Sequence, residues 1–302
     1  MTEDKFPAQL SHKYDGKRIK DWPVAVEPKL DGMRVLVVVK RIEDEDSYEL
    51  EAMSYSRDGK PINSLLDIEE AIMNTYEAAD LQDDMVFDGE VYCGSFRETI
   101  SQVRKKEEQA GDAVLTLFDI IPMDEWSLGE SSRDYRSRRE ELYDFFQWIS
   151  KSDKSILKMS KAVLVYEEEF IFNFYNKARE KGMEGIIVKP ITGYISHWVA
   201  KRSYGWMKIK DKLSADCKIV GCEEGKGKYI GTLGALIVEF EGKEVKVGTG
   251  LTDPVRDDLW ELDGKGTLYD LTAEVEYHEV TPDGSLRHPV FKGIRYDKEP
   301  DA

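Results

Sequence analysis

Cysteine is scarce in this chain of 302 residues: Cys93, Cys217 and Cys222 stand at spacings that match no zinc pattern, and the four histidines form no cluster to complete one. The three are expected to be reduced thiols in a cytosolic protein. No run of eighteen apolar residues occurs, and Met1-Thr2-Glu3-Asp4-Lys5-Phe6-Pro7 has neither the basic nor the apolar part of a signal peptide. Membrane spans and secretion are therefore not expected, and a cytoplasmic location is. The phosphate cradles are missing too: there is no Gly-x-x-x-x-Gly-Lys, and the glycines from Gly225 to Gly231 do not fit Gly-x-Gly-x-x-Gly. Without His-Glu-x-x-His or Gly-x-Ser-x-Gly, metalloprotease and α/β-hydrolase readings have no support. Positive charge is also short, with 43 Lys and Arg against 60 Asp and Glu for a net −17. That balance by itself argues against a polyphosphate partner.

Hydrophobic residues make up 41% of the chain, enough for a buried core, and the length suits two domains. The charge is uneven. Residues 201–232 carry eight Lys or Arg against four Asp or Glu, a local +4. The acidic runs Glu43-Asp44-Glu45-Asp46 and Glu167-Glu168-Glu169 read as a hairpin tip and a helix start.

The stretch Glu27-Pro28-Lys29-Leu30-Asp31-Gly32-Met33-Arg34 lies between the apolar run Val24–Val26 and the β-branched run Val35–Val39. It reads as strand, tight loop, strand. A loop lysine beside Asp31 can serve as a nucleophile if its surroundings lower its pKa, although the same residues also suit a hairpin turn with a solvated lysine. Further on, Tyr48–Tyr55 reads as a return strand, residues 65–76 as a helix, and Met85–Tyr92 as a buried strand broken by Asp88 and Glu90. Carboxylates there are costly unless paired or metal-bound. Helices are expected over 97–110, about 133–150 and 170–182, and strands over Ala113–Ile121, Ala162–Tyr166 and 184–190, the last opened by Glu184. In Tyr204–Lys210 the alternation puts Lys208 and Lys210 on one face of a strand, a pair suited to phosphate. From about Lys212 short β runs, glycine turns and one helix over 254–262 suggest a small barrel of the OB type. A lysine, the carboxylates Glu90 and Glu184, the aromatic Phe118 and the cations Arg34, Arg57, Lys208 and Lys210 suit phosphoryl-type transfer, with carboxylates for Mg²⁺ and an aromatic to stack on a base.

In that order and spacing the residues resemble the covalent nucleotidyltransferases, and among them the ATP-dependent DNA ligases of the compact phage and viral type. Lys29-Leu30-Asp31-Gly32-Met33-Arg34, Ser56-Arg57-Asp58-Gly59, Asp88-Gly89-Glu90, Phe118-Asp119, Glu184 to Lys189, Trp206 to Lys210 and Arg287 to Lys298 are similar to seven successive motifs of that family. The resemblance implies an α+β architecture: a nucleotidyltransferase (ATP-grasp-like) domain of antiparallel sheets with helices over residues 1–210, then a small OB-fold barrel over 211–302. It implies ATP with Mg²⁺ or Mn²⁺, adenylylation of Lys29, transfer of AMP to a DNA 5′-phosphate, and sealing of the nick by the 3′-hydroxyl. It implies Glu27 as an adenine contact, Phe118 as its stacking partner, Arg34 and Arg57 on ribose or phosphate, and Lys208 and Lys210 on the α-phosphate. Glu90 would serve ribose or metal, Glu184 metal, and Arg295 and Lys298 the pyrophosphate. Nicked duplex DNA is expected along Lys201, Arg202, Lys218, Lys226 and Lys228, held by a monomer, because screening over about 8 Å makes nearby charge outweigh the total. An RNA-capping guanylyltransferase or an RNA ligase shares much of this pattern, and a silent OB-type nucleic-acid-binding module is a reading from another class.

Overall fold

The computed structural model of the chain describes residues 6–45, 47–105, 108–210, 213–277, 279–281 and 283–296. It divides into two units, residues 1–210 and 211–302.

The first unit is built on two large sheets, beside a two-stranded one of Glu130–Ser131 and Trp198–Val199. One carries, in spatial order, Leu10–Lys13, Arg202–Lys210, Gly185–Pro190, Val24–Lys29 and Val163–Val165. The other carries Pro61–Ile62, Tyr48–Ser56, Met33–Glu43, Met85–Tyr92, Val114–Pro122 and Leu157–Met159. Pairing is antiparallel except where Leu10–Lys13 meets Arg202–Lys210 and Val114–Pro122 meets Leu157–Met159. The hairpin alternative for the Lys29 stretch is therefore overturned. Val24–Lys29 pairs with Gly185–Pro190 and Val163–Val165, whereas Met33–Glu43 pairs with Tyr48–Ser56 and Met85–Tyr92. Both apolar runs are buried throughout, as interior strands require, so each takes neighbours on both sides and Leu30-Asp31-Gly32 carries the chain from one sheet to the other.

Helices cover the outer faces. Leu66–Ala78 and Tyr135–Gln147 send Ile68, Ile72, Tyr76, Leu142 and Phe145 into the core beneath the six-stranded sheet. Glu168–Glu180 packs Ile171 and Ala178 against Val24, Val26, Ile186 and Val188 of the other sheet, and opens with Glu168 and Glu169 where the helix dipole favours them. The helix expected over 97–110 is shorter, Phe96–Val103, and Ser95 caps its start, its hydroxyl accepting the Glu98 N–H and donating to the Glu98 carboxylate. A further helix, Met123–Leu128, was not anticipated; it ends at Gly129, whose φ of +78° suits glycine.

The second unit is one antiparallel sheet in the order Lys243–Val247, Leu233–Phe240, Leu213–Glu224, Thr272–Tyr277, Val290–Arg295, with the helix Asp253–Gly264. The sheet curls until its edges meet, through a bridge between Thr249 and Val290 and a hydrogen bond from the Phe291 N–H to the Thr249 carbonyl. That curl gives the unit its OB-like character. Arg256, buried against the face of Tyr229, donates to the carbonyls of Leu233, Gly234 and Gly248 and so ties helix to sheet. Cys93, Cys217 and Cys222 are free thiols. Among the described residues no helix is long and apolar enough to cross a membrane.

Candidate active site

Lys29 closes its strand at the rim of an open cleft of about 1550 Å³ within the first unit, to which both sheets contribute. Register puts its partners in place: Gly185 lies opposite Lys29 on one side and Lys210 on the other. Glu184, one residue earlier, therefore reaches both. Its carboxylate accepts from the Lys29 amine on one oxygen and from Lys210 Nζ at 3.1 Å on the other. The approach is close, since a Cβ at Gly185 would stand 2.1 Å from the Ile209 carbonyl. Burial works against the charge of Glu184, but the two ammonium groups outweigh it and hold the carboxyl below its usual range. Lys208 also lines the cleft, and burial together with Lys210, Arg202 and Lys29 pulls its pKa down.

Glu90 faces Lys29 from the other sheet. One of its oxygens accepts the Gly32 N–H at 3.1 Å, and no cation lies within ion-pair distance among the described residues. Burial raises its pKa to about 7, with Lys29, the Gly32 N–H and Arg34 only partly opposing. The sign follows: folded Glu90 holds its proton above the unfolded value near 4.5, so the stability it contributes is complete below that pH and is lost as pH rises through about 7. In metal-free buffer the wild type should therefore lose about 1–3 kcal/mol between these limits. Glu90→Gln should show a flatter profile by urea denaturation, and an unchanged slope in that variant would show that Glu90 is not the group responsible.

Arg34 is already engaged. Its guanidinium donates to both oxygens of Asp88 at 2.8 and 2.5 Å and to the Gln9 carbonyl at 2.6 Å, and it lies 5.0 Å from the ring centre of Trp206 and 5.7 Å from that of Phe118. The pairing accounts for the buried carboxylate at 88. Phe118 enters the cleft through a β-bulge: Asp88 pairs with Asp119 and Gly89 with Leu117, leaving Phe118 as the extra residue. The bulge shifts the alternation, so Leu115 and Leu117 before it and Ile120 after it all reach the same core. Lys189, buried beneath Phe118, Tyr135 and Trp206, points its ammonium at the bulge carbonyl, 3.4 Å away, and at Glu27 Oε1, 2.8 Å away. Glu27, also buried, accepts from the hydroxyls of Tyr135 and Ser160 as well. Lys189 and Arg139 overcome the burial penalty and keep Glu27 ionised. Tyr135, Ser160 and Lys189 were not singled out as site residues; only the basic end of the Glu184–Lys189 segment offered a signal.

The remaining candidates divide. Arg57, on the exposed turn after Ser56, lines the cleft 3.6 Å from Asp58, and Lys201 and Arg202 line it as well, Arg202 donating to the Ser11 carbonyl. Lys218, Lys226 and Lys228 belong to the second unit and are exposed, with Glu223 and Glu224 between the first and the other two. Lys228 sits 4.5 Å from the ring centre of Tyr229. Arg295 lies 3.3 Å from Glu274 and 3.7 Å from Asp216 in that unit. Lys298 lies outside the described residues.

No cluster of three or more His, Cys, Asp or Glu suited to a metal occurs among the described residues. The two carboxylates flanking Lys29 nonetheless fit a hard divalent cation of the kind that takes one or two protein oxygens and completes its shell with phosphate and water. Glu90, without a cation of its own, is the better placed to supply an oxygen.

Two sheets meeting over a lysine, with carboxylates on both sides and an aromatic wall, define a protein of the nucleotidyltransferase class. Residues 11–210 match the ATP dependent DNA ligase domain and residues 224–295 the DNA ligase OB-like domain. The chain belongs to the ATP-dependent DNA ligase family. It is similar to a DNA ligase of Haloarcula marismortui (29% identical, over 94% of this chain and 54% of that protein) and to one of Thermococcus onnurineus (26% identical, over 100% and 54%). Among solved structures, Pmar-Lig_Pre superposes with a TM-score of 0.84 at 28% identity, over 97% of this chain and 68% of that one. A Lig E DNA ligase at 20% identity and a TM-score of 0.72, over 96% and 99%, shares the fold. The chain spans about half the length of the curated relatives it matches.

Proposed function

We propose that this chain is an ATP-dependent DNA ligase that seals nicks bearing a 5′-phosphate and a 3′-hydroxyl through a lysyl-AMP intermediate. The observation that carries the reading is the placement of Lys29, with its amine held by Glu184 in a cleft that also gathers Glu90, Phe118, Lys208 and Lys210. Lys29 Nζ gives up its proton and attacks the α-phosphorus of ATP; the N–P bond forms, the bond to the bridging oxygen breaks and pyrophosphate leaves. AMP then passes to the 5′-phosphate of the nick, and the 3′-hydroxyl displaces it.

In this reading Glu27 accepts from the 6-amino group of adenine, Phe118 lies against the base, and Glu90 takes a ribose hydroxyl or the metal. Lys208 and Lys210 stabilise the α-phosphate, and Arg57 serves ribose or phosphate from the rim. Arg34 acts there only by exchanging its hold on Asp88 for the nucleotide. Mg²⁺ or Mn²⁺, held by Glu184 and Glu90, would offset charge on the phosphates. Residues 1–210 are the adenylation domain and 211–302 the OB domain, whose Arg295 and Lys298 would serve the pyrophosphate. The duplex is contacted by Lys201, Arg202, Lys218, Lys226 and Lys228, and the enzyme works as a monomer.

Incubation with α-labelled ATP and Mg²⁺, followed by denaturing electrophoresis, tests the reading. A label stable to denaturation, transferable to nicked duplex DNA, is expected. Labelling by GTP instead would make the chain a capping-type enzyme, and labelling by neither would leave a binding protein.

A further inference from the structure

An ionised carboxylate is a pure acceptor with about four lone-pair positions. At Glu27 three are filled from within the chain: Oε1 accepts from the Tyr135 hydroxyl and from Lys189 Nζ at 2.8 Å, and Oε2 accepts from the Ser160 hydroxyl at 2.7 Å. Among the described residues nothing fills the remaining position on Oε2, and Glu27 lines the cleft beside Phe118. The two hydroxyls are themselves fixed. Tyr135 opens the helix Tyr135–Gln147, whose start is capped by Asp134 and whose Arg136 N–H donates to the Ile191 carbonyl. Ser160 donates its backbone N–H to the Leu117 carbonyl, and its own carbonyl accepts from Arg139. A carboxylate gripped on both oxygens cannot swing to suit a different ligand.

We infer that Tyr135 and Ser160 are positioning residues that reduce Glu27 to an acceptor with a single vacancy, and that they thereby select a purine with a hydrogen-bond donor at position 6. This rests on the proposed use of ATP and deepens it. An amino group at position 6 fills the vacancy, whereas an oxygen there sets lone pair against lone pair. A purine bearing only hydrogen at that position leaves the vacancy empty in a buried site, which is costly to the complex. Neither hydroxyl needs to touch the nucleotide, so both act through Glu27.

The test compares ATP with purine riboside triphosphate, which lacks the 6-amino group, in the self-labelling reaction of the wild type, Tyr135→Phe and Ser160→Ala. The wild type should prefer ATP by about tenfold or more. Tyr135→Phe should raise the half-saturating concentration of ATP about tenfold with little change in the rate at saturation, and should leave purine riboside triphosphate unaffected. Ser160→Ala should act in the same direction and, as the smaller change, carries the test if Tyr135→Phe fails to fold. Equal losses with both nucleotides would make the hydroxyls structural and overturn the inference. A wild type that discriminates, with both variants keeping its full preference, would overturn the inference alone. A wild type that labels but is indifferent to the 6-amino group would overturn the Glu27 contact as well, and a wild type that takes no label from ATP would remove the proposed function with both.

Discussion

Lys29→Arg should take up no label from ATP under conditions in which the wild type is fully labelled, and Lys29→Ala should behave the same, a loss on the order of 10⁴-fold or more. The arginine variant is the more informative. Glu184, already holding Lys210, can accept a guanidinium in place of the ammonium, so the cleft retains its charge balance. A guanidinium stays charged at any working pH and has no free lone pair with which to attack phosphorus. Fold and nucleotide binding should therefore survive while covalent chemistry does not. Sealing of a nick that already carries 5′-AMP should persist in part, because that step uses the 3′-hydroxyl and not the amine. Gel labelling and sealing of a pre-adenylylated nick, run on both variants, separate these steps. Uptake of label by either variant would move the nucleophile to another residue.

Much of this cleft was legible because its chemistry is local in sequence. Lys29 with its Asp-Gly, Glu90 inside an apolar strand, and Lys208 and Lys210 two apart each announce themselves within a few residues, as did the strands and helices that carry them. What stayed hidden depends on long-range pairing. Nothing near Lys29 says that the strands on either side of it join different sheets; only burial of both on each face requires it. The bulge at Phe118 exists only in the register with Met85–Tyr92. Tyr135 and Ser160 lie 108 and 133 residues from the carboxylate they hold, one in a stretch that reads as a polar helix and the other in a stretch with no legible element. Arg34 matches a ligand role by its motif, yet its buried partner, Asp88, stands 54 residues away in another motif, and nothing in either stretch pairs the two.

The largest stability effect is expected next to Phe118. Asp119 and Arg138 form an ion pair with each side chain 1% exposed, joined by hydrogen bonds of 2.8 and 3.1 Å from Nε and Nη2 of the guanidinium. Arg138 also donates to the carbonyls of Arg133 at 2.6 Å and Ser196 at 3.2 Å, so one side chain ties the Val114–Pro122 strand, the entry to the Tyr135–Gln147 helix and the turn at Tyr194–Ser196. Arg138→Ala leaves a buried carboxylate uncompensated and two carbonyls without their donor, which should cost about 3–5 kcal/mol. For a unit of this size that corresponds to a fall in melting temperature on the order of 10 °C. Arg138→Lys keeps the charge but not the fork, and should fall between the wild type and the alanine variant. The double variant Asp119→Leu with Arg138→Met removes both charges and should recover much of the loss, since a buried pair can often be replaced by apolar groups at little cost. Its melting temperature separates two causes. Recovery would trace the damage to the stranded charge, whereas a double variant as unstable as Arg138→Ala would trace it to the lost carbonyl contacts that hold the helix entry, and with it Tyr135, in place.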